Sequence, residues 1–186
     1  MRDFLLLFAR FLRQPRTVGA VAPSSQVLAR EMVRGLEIGG PARLVELGPG
    51  TGVFTGALLA RLGPGGRLLA VELDPEFARQ VQLKWPAADC VCASATTLES
   101  IVAERRMQPV DHIISGLPFA SLPRDATRRI LEGIECVLKP GGTFTAFQYV
   151  HAYALPPAVA FRRDLDARFG AAPSRCLVVR NIPPAF

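Results

Sequence analysis

Leu44-Val-Glu-Leu-Gly-Pro-Gly-Thr-Gly52 joins a short apolar run to a glycine-dense turn, and a helix-like segment follows it. In an open parallel sheet such a turn lies at the carboxyl end of a strand, where backbone N–H groups face a crevice and glycines let a ligand reach the main chain. The glycines fall at Gly48, Gly50 and Gly52. A dinucleotide fingerprint needs its third glycine three residues after the second, the position that Val53 holds, so the spacing argues against a pyrophosphate. Glu46 stands two residues before the first glycine, and a carboxylate at a strand end suits a cation better than a phosphate. Glu72 closes the run Leu68-Leu-Ala-Val71, twenty residues beyond Gly52. An acid at the end of a second strand can accept hydrogen bonds from ribose hydroxyls. The pair specifies a nucleoside-like ligand that carries positive charge.

Outward from this stretch, strand-like runs alternate with helix-like segments: 43–47, 67–72, 89–93, 110–115, 142–150 and 175–180. That rhythm predicts an α/β fold, a mostly parallel sheet with helices on both faces and the glycine turn at its switch point. Lys139-Pro-Gly-Gly142 reads as a helix stop and turn before the fifth strand. With 186 residues and no low-complexity stretch, the chain reads as one domain. Within it, 1–16 form an amphipathic helix, 17–42 a loop and helix, and 43–186 the Rossmann-like core.

A hydrophobic content of 49% and a mean hydropathy of +0.25 exclude a disordered chain. No uninterrupted apolar run approaches the roughly 20 residues of a membrane span. The net charge of +6 comes mostly from arginine, since Lys84 and Lys139 are the lysines, and favours an anionic partner, lipid or nucleic acid. Cys90, Cys92, Cys136 and Cys176 show no CxxC pair; the expectation is buried, reduced thiols and no metal.

In Met1–Arg13, Phe4, Phe8, Phe11 and Leu12 share a helical arc opposite Arg2, Arg10 and Arg13. Arg10 and the absence of a small-residue cleavage site argue against a secretory signal. The apolar face can pack on the domain as a terminal helix or lie in a membrane interface with its arginines over anionic head groups. Thr17-Val-Gly-Ala-Val-Ala-Pro-Ser-Ser25 follows as a small-residue loop, a plain connector or a lid, before a second helix reaching to about Leu36.

Glu46-Leu-Gly-Pro-Gly-Thr-Gly52 followed by Glu72 resembles the first two motifs of the class I S-adenosylmethionine-dependent methyltransferases. S-adenosylmethionine has the required cations in its sulfonium and amino group, and S-adenosyl-L-homocysteine would be the product. The resemblance implies a Rossmann-like class I methyltransferase fold in which Glu46, Gly48, Gly50, Thr51, Gly52, Glu72, Leu73, Ser94, Ala95 and Ser115 hold the cofactor, with Thr17 and Gly19 in a loop closing over it. Ser94 replaces an acid that often accepts from the adenine amino group; a hydroxyl can still accept that bond. Ser115-Gly-Leu-Pro-Phe119, after the fourth strand, is the acceptor-side candidate. Its turn exposes carbonyls to an amine, and Phe119 can pack on a methylated ammonium. Strand alternation groups Tyr149, His151 and Tyr153, with His151 the better proton acceptor and His112 structural.

Together with Val18–Ser25, Leu138–Gly142, Phe147-Gln-Tyr149 and Arg180–Phe186, these motifs resemble the bacterial phospholipid N-methyltransferases nearly end to end. The resemblance implies methylation of phosphatidylethanolamine towards phosphatidylcholine by an enzyme peripheral on the cytoplasmic face of a membrane. Tyr149, His151, Tyr153, Ser115 and Phe119 would surround the amine, and Arg16 or another arginine would bind the lipid phosphate. No nucleic acid or metal is then expected. Family members continue into a seventh, antiparallel strand that this sequence, ending at Phe186, does not spell out. The competing readings are an RNA adenine dimethyltransferase-like enzyme, whose asparagine is replaced by Ser115, and a membrane-associated S-adenosylmethionine-binding protein without turnover.

Overall fold

The computed structural model describes residues 26–38, 40–148 and 152–170. The expected segments 1–16 and 17–25, with Arg16, Thr17 and Gly19, lie outside those residues. So do Tyr149, His151, the strand at 175–180 and Cys176.

The apolar runs form strands because they are β-branched and leucine-rich and are bounded by turns. They are β1 (Arg43–Leu47), β2 (Arg67–Glu72), β3 (Asp89–Cys92), β4 (Val110–Ser115) and β5 (Leu138–Ala146). All pair in parallel, in the order β3-β2-β1-β4-β5. Helices α1 (Gln26–Arg34), α2 (Val53–Leu59), α3 (Pro75–Lys84), α4 (Leu98–Glu104), α5 (Arg124–Val137) and α6 (Pro156–Phe169) cover it. The chain runs outward from β1 to β3, then crosses to β4 and β5. With right-handed crossovers that reversal puts the helices of the two halves on opposite faces.

Two apolar layers result. Leu44 and Ile114 meet Leu28, Met32 and Val33 of α1 and Phe54 and Leu58 of α2. Val45, Leu47 and Ile113 meet Leu98 and Val102 of α4, Leu131 and Ile134 of α5 and Phe161 of α6. Leu44, Val45, Leu47, Ile113 and Ile114 are fully buried. At about 1.5–3 kcal/mol for each such side chain, this double-sided burial is the main stabilising term.

β1, β2 and β4 have the bounds expected from sequence; three other expectations change. β3 ends at Cys92, although the Ala93 N–H still donates to the Glu72 carbonyl at 2.8 Å. β5 begins early, because Leu138 already pairs with Val110 before Lys139–Gly142 bulges out and the ladder resumes at His112 and Thr143. Lys139 pairs there with Asp111, at the sheet edge away from the glycine turn. β5 also ends early, at Ala146, so strand alternation does not extend to Tyr153. A turn closed by the Leu155 N–H on the Ala152 carbonyl at 3.0 Å holds Tyr153, and Pro156 starts α6 directly after it.

The cysteines are less covered than expected: Cys92 and Cys136 are exposed and Cys90 is half-buried. For Cys90 and Cys92 the reason is that β3 is an edge strand. Burial pushes the Cys90 thiol up to about 12, which removes it as a nucleophile at neutral pH. His112 is structural, as expected. Its Nε2 lies 3.2 Å from the Glu37 carbonyl and its Nδ1 2.7 Å from the Thr143 hydroxyl, so both ring nitrogens have partners within the fold.

Phe119 departs furthest from its expected role. It opens a short 3-10 turn after β4 and is only 3% exposed. Its ring stacks on Phe161 at 4.2 Å between centroids and 9° between planes, and meets Phe144 edge-on at 6.2 Å. The ring faces the core and is not presented to an amine. Phe119→Ala is therefore expected to lower stability in urea unfolding by roughly 3–5 kcal/mol, the cost of truncating a core aromatic. Unchanged stability combined with lost acceptor binding would return the ring to the acceptor side.

Candidate functional site

The site forms where β1 and β4 part. Backbone bonds carry the ladder into the turns: the Gly48 N–H donates to the Val71 carbonyl at 2.9 Å, and the Gly116 N–H to the Leu47 carbonyl at 2.8 Å. The two glycine segments then touch. A Cβ on Gly116 would lie 2.6 Å from the Gly48 carbonyl oxygen, and one on Gly48, whose φ is +69°, would lie 2.7 Å from Leu117 Cδ2. Only glycine fits either position.

A crevice opens over this contact. Of the residues expected to hold a cofactor, Gly48, Gly50, Glu72, Leu73, Ser94 and Ala95 line it, joined by Gly116, Leu117 and Pro118 from the turn after β4. Glu72 binds the glycine turn to β2, since its Oε2 accepts the Gly50 N–H and its Oε1 the Asp74 N–H, each at 3.0 Å. Asp74 in turn caps α3 by accepting from the Glu76 and Phe77 N–H groups at 2.8 and 3.2 Å. Ser94 is held by its neighbour, with its Oγ 2.8 Å from Thr96 Oγ1.

Other expected residues lie elsewhere. Thr51 is exposed, and Gly52 is buried against Trp85. Ser115 is fully buried, and its Oγ accepts the Leu117 N–H at 3.2 Å, so it shapes the turn that lines the crevice. Glu46 does not line the crevice. Strand alternation puts it on the face of Leu44, beneath α2, where it is wholly buried.

That burial sets the electrostatics. Glu46 Oε2 accepts from the Thr55 hydroxyl at 2.7 Å, while Oε1 is buried without a partner. Desolvation pushes its carboxyl up to about 8, with the Thr55 bond opposing and the nearby Glu72 charge adding. Burial also raises Glu72, partly offset by the N–H groups of Asp74, Gly50 and Leu73. Two acids whose ionisation burial disfavours, one at the crevice and one behind it, both gain from a positive charge placed there.

Two supporting residues were not expected from sequence. Thr55 faces Glu46 from the first turn of α2. Trp85 donates its indole N–H to the Gly52 carbonyl at 2.9 Å, and a Cβ on Gly56 would lie 2.4 Å from its ring. Trp85 so wedges the glycine turn against the end of α3. Beyond it a groove of about 600 Å³ runs along α1 and α2, but Arg30, Arg34, Arg61 and Lys84 line it, and its Glu31 is paired with Arg34. That groove does not suit a cation.

A parallel sheet of this order with a glycine turn and two acids at its switch point defines the class I S-adenosylmethionine-dependent methyltransferase fold. Residues 44–142 match the methyltransferase domain family, and the chain belongs to it. It is 33% identical over 147 residues, 77% of each chain, to an ornithine lipid N-methyltransferase of Singulisphaera acidiphila. It is 30% identical over 129 residues to a probable ribosomal RNA small subunit methyltransferase A of Methanospirillum hungatei, of which it spans 44%. The O-methyltransferase of Bacillus cereus, solved in complex with SAH, superposes with a TM-score of 0.58 at 18% identity, covering 92% of this chain and 79% of the other.

The cofactor is S-adenosylmethionine. The chain's residues fit it: the unpartnered Glu46 oxygen behind the crevice favours a cation, the Glu72 carboxyl at the crevice is of the kind that can accept from ribose hydroxyls, and a Cβ on Gly50 would meet nothing within 4 Å, which leaves room against bare backbone.

The raised Glu46 carboxyl has two consequences. In the empty protein its contribution to stability is fully present below the unfolded value of about 4.5 and is lost as pH rises through about 8. The melting temperature of the wild type is thus expected to fall relative to Glu46→Gln between pH 6 and 9. A cation in the crevice draws the proton off, so cofactor affinity rises with pH relative to Glu46→Gln and binding releases a proton. The variant also cancels the titration of the cofactor's own amino group, near pH 7.7–8.0. Calorimetry in two buffers of different ionisation enthalpy reads this, with a difference of about tenfold, or ~1.4 kcal/mol, expected across the range. Parallel pH curves for the two proteins would show Glu46 does not titrate there.

Proposed function

We propose that the chain methylates the amine of a membrane lipid, with S-adenosylmethionine as donor. The observation that carries this reading is the 33% identity over 77% of both chains to an ornithine lipid N-methyltransferase. The sequence motifs resemble phospholipid N-methyltransferases, which points to phosphatidylethanolamine. In either lipid the acceptor is an amine at the membrane surface. The chain's basic character supports the same setting, with a net charge of +6 and, in the sequence of the N-terminal stretch, arginines that anionic head groups would attract. None of the described helices is long and apolar enough to cross a membrane, which fits peripheral attachment.

S-adenosylmethionine supplies an electrophilic methyl group; the chain must align the amine and take its proton. Alignment falls to the Gly116-Leu117-Pro118 turn, whose backbone stands at the crevice and can accept hydrogen bonds from an amine. Ser115 holds that turn in shape. His151 is the proposed proton acceptor, with Tyr149 beside it in sequence. Arg16 or another arginine is the proposed contact for the lipid phosphate.

The similarity to the ribosomal RNA methyltransferase favours one competing reading, transfer to adenine of RNA. Methyl-labelled cofactor offered with vesicles of phosphatidylethanolamine, vesicles of ornithine lipid and purified ribosomal RNA separates the two. The expected product is an N-methylated lipid in one or both vesicle samples and unlabelled RNA. Label in RNA alone would overturn the lipid reading, and cofactor binding without any methylated product would reduce the chain to a binding protein.

A further inference from the structure

The groove of about 600 Å³ along α1 and α2 borders the same glycine turn as the crevice: Gly48 and Gly50 line the crevice, and Gly52 lines the groove. Ala29 and Val33 of α1 and Val53 and Ala57 of α2 give it an aliphatic floor, and Trp85, just after α3, adds an indole ring. The indole N–H is already taken by the Gly52 carbonyl at 2.9 Å, so what Trp85 offers an occupant is apolar ring.

Four cations stand around this floor. Arg30 and Arg34 are one turn apart on α1, and like charges at that spacing repel. Glu31 pairs with Arg34 at 3.4 Å, but the Arg34 side chain is 75% exposed, and an ion pair so open to water offsets little. Arg30 has no ion-pair partner among the described residues. Arg61 ties the end of α2 to the end of α1 by donating to the Leu36 carbonyl at 2.8 Å, a neutral partner that leaves its charge uncompensated. Lys84 lies over the Trp85 ring, 5.5 Å from its centroid. Four cations against one acid, over an apolar floor, suit an anion that carries an apolar body.

Two further observations select a membrane as its source. Val27, next to Gln26 at the groove, and Leu83, next to Lys84, are 55% and 69% exposed, apolar side chains that a bilayer takes up and a polyanion in water does not. The chain's own N-terminal stretch fits less well, because residues 1–25 carry four arginines against one acid, the same sign as the groove.

We propose that this groove is a docking site for anionic phospholipid, in which Arg30, Arg34, Arg61 and Lys84 face the phosphates of a membrane surface and the floor between α1 and α2 takes the apolar part. The inference rests on the lipid reading for the choice of a membrane, and on the groove itself for charge and shape. Docking there holds the glycine turn, and the crevice beside it, at the surface where a lipid amine is presented.

Trp85 is the single tryptophan of the chain, so its emission reads this groove. The test mixes the full chain, without cofactor, with vesicles of phosphatidylcholine with and without phosphatidylglycerol, and records sedimentation and Trp85 emission together. With phosphatidylglycerol the emission is expected to move to shorter wavelength and to become protected from acrylamide; with phosphatidylcholine alone neither should change. Arg30→Gln/Arg34→Gln should weaken vesicle binding about 10- to 30-fold, from roughly fivefold for each arginine near an anionic surface, and abolish the emission shift. Arg30→Lys/Arg34→Lys keeps both charges and should match wild type, as should Arg163→Gln, an exposed arginine of α6 outside the groove. Protein that sediments with phosphatidylglycerol while its Trp85 emission stays unmoved would overturn the inference, because another part of the chain then makes the contact. Emission already fully protected without vesicles, moving with protein concentration, or shifted by purified RNA and not by vesicles would overturn it too. In those cases the chain's own segment, a second copy or a nucleic acid fills the groove. Docking by a protein that methylates neither phosphatidylethanolamine nor ornithine lipid would leave the inference standing and overturn the functional reading.

Discussion

A carboxyl group sealed behind a glycine turn is the constraint on which the rest of this site depends. Glu46 sits at the end of β1 with no exposed surface, one oxygen bound by Thr55 and the other without a partner. Such a group is tolerated because it can stay protonated when nothing is bound, which its value of about 8 allows at neutral pH. The same burial makes it responsive, since in a low-dielectric setting a cation nearby is felt far more strongly than in water. The parallel sheet supplies this setting. Helices cover both faces, and the reversal of strand order leaves an opening at the ends of β1 and β4.

Around that constraint the molecule divides into two halves. The half containing β1, β2, α2 and α3 forms the donor side, where Glu72 holds the glycine turn, Asp74 caps α3 and Trp85 wedges the turn from outside. The half containing β4, β5, α5 and α6 is the acceptor side on the proposed reading; there Ser115 shapes the turn after β4, and Phe161 and Arg162 of α6 contact Phe119 and Gln148. The halves meet at the close approach of Gly48 and Gly116, too tight for any side chain. An alteration there would disturb both substrates at once.

The fold was legible because it rests on local signals. Buried parallel strands read as apolar runs, and glycines with acids at fixed offsets mark the turn, so β1, β2 and β4 and most crevice residues follow from sequence. What sequence missed depends on tertiary partners. Thr55 and Trp85 gain their roles from Glu46 and Gly52, contacts that no spacing rule encodes. Phe119 carries the right chemistry for an ammonium, but the ring pair with Phe161, 42 residues further on, draws it into the core. Alternation overran the end of β5 because Phe147 to Tyr153 keeps an aromatic-rich strand pattern after the ladder has stopped at Ala146. The cysteine expectation failed at Cys90 and Cys92 because burial of β3 depends on its edge position, which its composition does not reveal.

The central claim is that Glu46 holds a proton until a cation enters the crevice. Carbon-13 NMR of the side-chain carboxyl in protein labelled at glutamate, assigned with Glu46→Gln, measures this directly. The account predicts a Glu46 resonance titrating near pH 8 in the cofactor-free protein and shifting to a lower pH when S-adenosylmethionine is added. A carboxyl titrating near the ordinary value of 4.5, and unmoved by the cofactor, would contradict it.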